Sequence, residues 1–168
     1  MTTLVLTVVG SDRSGIVAAV ADAVAAHGGN WENSQLAELA GAFAGIVEVS
    51  VSAENADALR AALAGLDGLH TVAVQAGTDA SPPPHQDLVL HVLGNDHPGI
   101  VRELSSALSA HGVSIDRMTT ETRDAAMAGG RLFEATVVAA APADVDIAAV
   151  AAEIERLAAE IQVDVTLD

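Results

Sequence analysis

The feature that most restricts the fold is internal. Leu4-Val5-Leu6-Thr7-Val8-Val9-Gly10-Ser11-Asp12-Arg13-Ser14-Gly15-Ile16-Val17 recurs as Leu88-Val89-Leu90-His91-Val92-Leu93-Gly94-Asn95-Asp96-His97-Pro98-Gly99-Ile100-Val101, 84 residues on and without a gap. The match continues to Ala26-His27-Gly28 and Ala110-His111-Gly112, and about half of the positions in the stretch are identical. Solenoid units repeat every 20–50 residues or so, roughly half this period. A period of 84 in a chain of 168 residues is instead two copies of a whole small domain. Between the copies, Ala76 to Gln86 is polar and turn-rich, and Pro82-Pro83-Pro84 favours an extended, semi-rigid spacer. The expected division is a domain over 1–77, a linker over 78–86 and a second domain over 87–168.

Each copy shows the same succession of patterns. Residues 4–9 are a Leu/Val run of strand type. Over 15–26, Ile16, Ala19, Val20, Ala23 and Val24 fall on one helical face, and Gly28-Gly29 stops the helix. Strands over 30–39 and 43–52 join at the Ala40-Gly41-Ala42 turn, a helix follows over 55–65, and His70 to Val74 is a last strand. The second copy predicts strand 88–93, helix 99–110, strands 113–123 and 131–139 around a longer loop from Asp124 to Gly130, helix 145–160 and strand 162–167. The order βαββαβ in about 80 residues implies an α+β, ferredoxin-like sandwich: a four-stranded antiparallel sheet with both helices on one face. The first strand is apolar on both faces, with Leu4, Leu6 and Val8 on one and Val5 and Val9 on the other. A sheet with one solvated face alternates more cleanly, so a second packing partner, and a homodimer, are expected.

Composition removes whole classes of function. Seven Lys+Arg against 23 Asp+Glu give a formal charge of −16. Binding to nucleic acid needs cations that displace phosphate counterions, and an anionic membrane surface needs them too. Neither is expected as a direct partner. There is no cysteine, which excludes disulfides, thiol catalysis and Cys-based zinc sites. Alanine supplies 35 residues, against two Phe, one Trp and no Tyr, so the core is built from small aliphatic side chains. No apolar run is long enough to span a bilayer and no signal peptide is read at Met1-Thr2-Thr3, so the expected location is the cytoplasm.

Chemistry concentrates in the repeated turn, Gly10-x-Asp12-x-x-Gly15-Ile16 and Gly94-x-Asp96-x-x-Gly99-Ile100. Glycine permits close backbone approach, and the helix that follows presents free N–H groups and the positive end of its dipole. A carboxylate suits such a place. Asp12 and Asp96 have two open roles, capping the helix or accepting an ammonium group. The turn is neither a dinucleotide fingerprint nor a P-loop, and no cofactor is implied. His27 and His111 precede helix-ending glycines and suit the negative end of a helix dipole. His91 is an interface candidate, and His97, beside Pro98, is the histidine best placed to act. No histidine grouping suggests a metal and no Gly-x-Ser-x-Gly elbow suggests a nucleophile, so an enzyme is not expected. Other users of the fold fit poorly: stacking aromatics on a basic face are missing, and Arg13 of the first loop is His97 in the second.

The GxDxxGI turn inside βαββαβ resembles the ACT domain, a small regulatory module that binds amino acids. The duplication and the Pro-rich link are similar to the tandem-ACT group of glycine cleavage system transcriptional repressors. So is the stretch Asn30-Trp31-Glu32-Asn33-Ser34-Gln35-Leu36-Ala37-Glu38-Leu39-Ala40-Gly41-x-Phe43, with Ala40-Gly41 where that group's pattern has Leu-Gly. The resemblance implies a ligand site between the strand–helix loop of one domain and the start of the second strand of a partner. Carried over, this points to Gly10, Asp12, Arg13, Ser14, Gly15, Ile16 and Asn30 in the first domain. In the second it points to Asn95, Asp96, His97, Gly99 and Ile100, with Ser114 in place of Asn30. The implied function is a non-catalytic sensor of a small amino acid that acts through a protein partner, in transcriptional control of amino-acid (glycine) metabolism. The alternative is a tandem-ACT scaffold without a ligand.

Overall fold

The structure, a computed structural model, describes residues 1–77, 83–124 and 130–167. Linker residues 78–82 and loop residues 125–129 lie outside the described residues. The first half runs β1 (Thr2–Ser11), α1 (Ile16–Ala26), β2 (Asn30–Leu39), β3 (Ala42–Val51), α2 (Ala56–Ala64) and β4 (Leu69–Ala76). The second repeats it as β5 (His85–Asn95), α3 (Ile100–Ala110), β6 (Ser114–Asp124), β7 (Arg131–Pro142), α4 (Ile147–Ile161) and β8 (Val163–Leu167). The chain divides into two units, Met1–Ala80 and Ser81–Asp168. Each holds one antiparallel sheet, ordered β2-β3-β1-β4 and β6-β7-β5-β8. This is the βαββαβ sandwich that the patterns predict.

Alternation along the central strand decides which face is covered. Leu4, Leu6 and Val8 of β1 are buried, together with Val20 and Val24 of α1 and Leu59 and Leu63 of α2. Ile16, Val20 and Val24 recur at intervals of four, one stripe of the helix. Burying a leucine such as Leu6 contributes about 1.5–3 kcal/mol. The second unit builds its core in the same way from Leu90, Leu104, Leu108, Val137 and Ile154. The opposite sheet face stays partly open: Val9 is 37% and Ile46 49% exposed in the first unit, and Leu93 is 41% exposed in the second. Among the described residues no helix is long and apolar enough to cross a membrane.

Element ends differ from the sequence expectation where tertiary bonds or caps set them. The first helix of each unit starts at Ile16 and Ile100, one residue late, because Gly15 and Gly99 are left-handed caps with φ of 85° and 107°. The last helix starts at Ile147 rather than 145, since the Asp146 carboxylate accepts the Ala148 N–H at 3.0 Å and fixes the cap there. β5 starts at His85 rather than 88, so His85 and Gln86 belong to the sheet and not to the linker. Both pair with β7, and the Gln86 amide donates to the carbonyls of Ala143 and Val145, each at 3.2 Å. The expected first hairpin is present: Leu39 faces Ala42 across Ala40 and Gly41, whose φ values of 51° and 82° suit a two-residue turn.

Candidate functional site

The repeated loop is anchored on both sides. On one side the Asp12 N–H donates to the Gly41 carbonyl at 2.9 Å, and the Asp96 N–H donates to the Arg131 carbonyl at 2.8 Å. The loop is thus tied to the hairpin end of its sheet in both units. On the other side the Arg13 guanidinium donates to the Asp67 carbonyl, and Ser11 Oγ lies 2.9 Å from His70 Nε2. Gly10 and Gly94 are packing positions: a Cβ on Gly10 would strike the Gly68 carbonyl, and one on Gly94 would come within 2.6 Å of Val163.

In the first unit these anchors leave an open groove of about 460 Å³. The loop contributes Asp12, Arg13 and Gly15, and the first turn of α1 contributes Ile16, Val17 and Ala18. The far wall is Leu36, Ala37 and Glu38 of β2, with Phe43 of β3. Beneath it Val8, Ile16 and Phe43 form a small buried cluster, 1%, 3% and 6% exposed, with Leu36 and Leu69 against it. The helical ladder of α1 begins at Ala19, whose N–H donates to the Gly15 carbonyl at 2.9 Å. The N–H groups of Val17 and Ala18 precede that ladder, at the positive end of the helix dipole. The Ile16 N–H makes only a long contact, 3.4 Å, to the Arg13 carbonyl. Asp12 and Glu38 place two carboxylates on the rim, and Glu38 already accepts the Gly41 N–H at 2.7 Å. Backbone donors beside carboxylates on an apolar floor suit a zwitterion with a small apolar side chain.

The structure sorts the expected residues. Asp12, Arg13, Ser14 and Gly15 form the loop between Gly10, near the end of β1, and Ile16, at the start of α1, with Ser14 exposed and the Ile16 side chain buried. The capping role of Asp12 and Asp96 is overturned, because the caps are Gly15 and Gly99 and no side chain bonds to either helix start. Asn30 is not beside the loop of its own unit. It pairs with Ser50, level with Thr3, while Gly10 pairs with Phe43 at the other end of the sheet. Seven residue steps along the strand separate the two levels, about 23 Å at the usual rise. The Asn30 amide donates to Glu32 at 2.9 Å and Ser50 Oγ donates to the same oxygen at 2.5 Å. Ser50 first, then Asn30, hold the Glu32 carboxyl below its ordinary range.

The second unit keeps the loop and changes its surroundings. Asn95 and Asp96 are exposed, Gly99 is the cap and Ile100 is buried. His97 is half-buried, with Nε2 2.8 Å from the Ile161 carbonyl. By register Thr120, Glu121 and Thr122 stand where the first unit has Leu36, Ala37 and Glu38, and Arg102 stands where it has Ala18. The apolar wall belongs to the first unit. Leu36, Ala37, Glu38 and Phe43 were legible as part of the ACT-like stretch, but only the hairpin register brings them to the loop. His27 and His111 are the C-caps of α1 and α3, as expected. His91 is exposed on the open sheet face, its Nδ1 3.3 Å from Thr136 Oγ1. Among the described residues no group of His, Asp and Glu is arranged to hold a metal ion.

Comparison with known proteins agrees with this architecture. The ACT domain matches twice, over residues 2–76 and 89–159. The chain is 29% identical over 162 residues to the glycine cleavage system transcriptional repressor of Escherichia coli K12, covering 94% of this chain and 85% of that one. It is similar to the crystal structure of an unknown protein from Galdieria sulphuraria, at 33% identity and a TM-score of 0.89, over 99% of this chain and 97% of that one. A crystal structure assigned provisionally to a glycine cleavage system transcriptional repressor matches at 20% identity and a TM-score of 0.72, over 99% and 96% of the two chains, and supports the fold.

Proposed function

The chain belongs to the ACT domain family, one domain in each half, and on that premise we propose that it is a non-catalytic regulator that senses a small amino acid in its first unit. The carrying observation is the groove between the first turn of α1 and the Leu36–Glu38 wall. The ligand carboxylate sits on the N–H groups of Val17 and Ala18, its ammonium faces Asp12, and its side chain meets Leu36 and Phe43. Ligand binding then alters contact with a protein partner. Control of transcription in amino-acid metabolism, that of glycine foremost, is supported by the similarity to the Escherichia coli repressor. A charge of −16 disfavours direct contact with DNA and supports a partner protein as the DNA-contacting component. The half-exposed Val9, Ile46 and Leu93 support a homodimer.

A second reading, a tandem-ACT scaffold without a ligand, has one observation in its favour: Arg13, the cation of the first loop, is already spent on the Asp67 carbonyl. A thermal-shift screen against the twenty amino acids separates the two. A ligand that binds only the native state at a hundred times its Kd adds about 2.7 kcal/mol of stability. The sensor raises its Tm with at least one small amino acid; the scaffold responds to none.

A further inference from the structure

The strand–helix loops of the two units are braced at one equivalent position by different side chains. In the first unit Arg13 reaches across Gly68 and donates to the carbonyl of Asp67, in the turn after α2. In the second, 84 residues on, the position is His97, which contacts the carbonyl of Ile161, the last residue of α4. Neither α2 nor α4 has a basic residue in its own last turn. A cation is favourable at the carbonyl end of a helix, and in each unit the loop supplies what the helix lacks. Arginine stays charged at any pH the protein meets, whereas histidine changes charge in the physiological range.

We propose that His97 is a proton-operated clasp: it fastens the β5–α3 loop to the C-terminal end of α4 when protonated and loosens it when neutral, while Arg13 keeps the first loop fastened throughout. The reason is a count of donors. His97 Nδ1 lies 3.2 Å from the Pro98 carbonyl and Nε2 lies 2.8 Å from the Ile161 carbonyl. A carbonyl oxygen only accepts, and a neutral imidazole carries one N–H, so only the imidazolium satisfies both contacts. Of the surrounding charges, that of Asp96 favours it as well. Asp96 is adjacent, Glu103 of α3 and Glu160 of α4 line the same surface hollow, and Arg102 and Arg156 pair with those two glutamates. The Ile161 carbonyl first, then that of Pro98, with Asp96 adding to them, raise the His97 pKa above its ordinary 6.5. A raised folded-state value means that the clasp contributes fully below 6.5 and is lost as pH rises through the folded value. The duplicated loop therefore exists in one permanent and one titratable version. This requires no ligand and stands apart from the sensing reading.

Nuclear magnetic resonance on the full chain, titrated from about pH 5 to pH 8 across the histidine range, tests it. The His97 ring is expected to titrate with a midpoint above 6.5. The backbone amides of Gly99 and Gln162 are expected to shift with that same midpoint, while the amide of Gly15 does not follow it. His97→Arg is expected to fix the Gly99 and Gln162 amides near their low-pH positions at every pH. A His97 midpoint at or below 6.5 overturns the proposal, as does a Gln162 amide that ignores the His97 titration or still follows pH in His97→Arg. The wild-type titration alone is decisive if the variant does not fold.

Discussion

At the scale of single residues, Gly15 shows why a motif glycine has to be located before its role is assigned. Its spacing is plain in the sequence, and close approach of a ligand is the natural first explanation. The structure gives another cause. A Cβ at Gly15 meets nothing within 4 Å, but the residue sits at φ +85°. An L side chain in the left-handed region costs roughly 1–2 kcal/mol, and asparagine tolerates it better than most. Gly15→Ala is therefore expected to lower the unfolding free energy by that amount, and Gly15→Asn by less, read from denaturant midpoints. Asp12→Ala is the contrasting change. A true cap lost to alanine costs about 1 kcal/mol, but Asp12 makes no cap bond. Its substitution is expected to move stability by less than about 0.5 kcal/mol and to weaken ligand binding instead. A full 1 kcal/mol loss of stability, roughly that of a cap, would restore the capping role.

At the scale of elements, order and type were legible, and ends were not. The fourfold spacing of Ile16, Val20 and Val24 and the alternation of Leu4, Leu6 and Val8 are local patterns, and both survive intact in the packed core. The start of β5 is different in kind. His85 and Gln86 follow three prolines and read as linker, yet the Gln86 amide is held by carbonyls 57 and 59 residues away. No local pattern carries that information. The position of Asn30 within its own unit was not legible for a related reason: strand register, a tertiary property, sets it level with Thr3 and far from Gly10. The last helix starts two residues later than its pattern predicts, and a side-chain cap sets it: Asp146 accepts the Ala148 N–H, so Asp146→Ala is expected to cost about 1 kcal/mol. Thermal or chemical unfolding measures it, and an unchanged midpoint would show that the cap bond contributes nothing.

At the scale of the whole molecule, duplication, charge and groove combine into one account. The two copies share a fold and a loop but not a wall: Leu36 and Ala37 against Thr120 and Glu121, and Ala18 against Arg102. With −16 and seven basic residues, the purified chain is expected to give no salt-dependent retardation of duplex DNA, and tight binding without a partner would overturn indirect regulation. The central claim is that the groove at the start of α1 holds an amino acid. Calorimetric titration of free amino acids into the wild type, Ala18→Leu and Ala25→Leu tests it most directly. Ala18 lines the groove on the first turn of α1, and Ala25 is exposed near the far end of the same helix. The prediction is saturable binding of a small amino acid to the wild type, the same affinity in Ala25→Leu, and an affinity weaker by at least about tenfold, or ~1.4 kcal/mol, in Ala18→Leu. Binding of equal strength in all three proteins, or no heat from any amino acid, would contradict it.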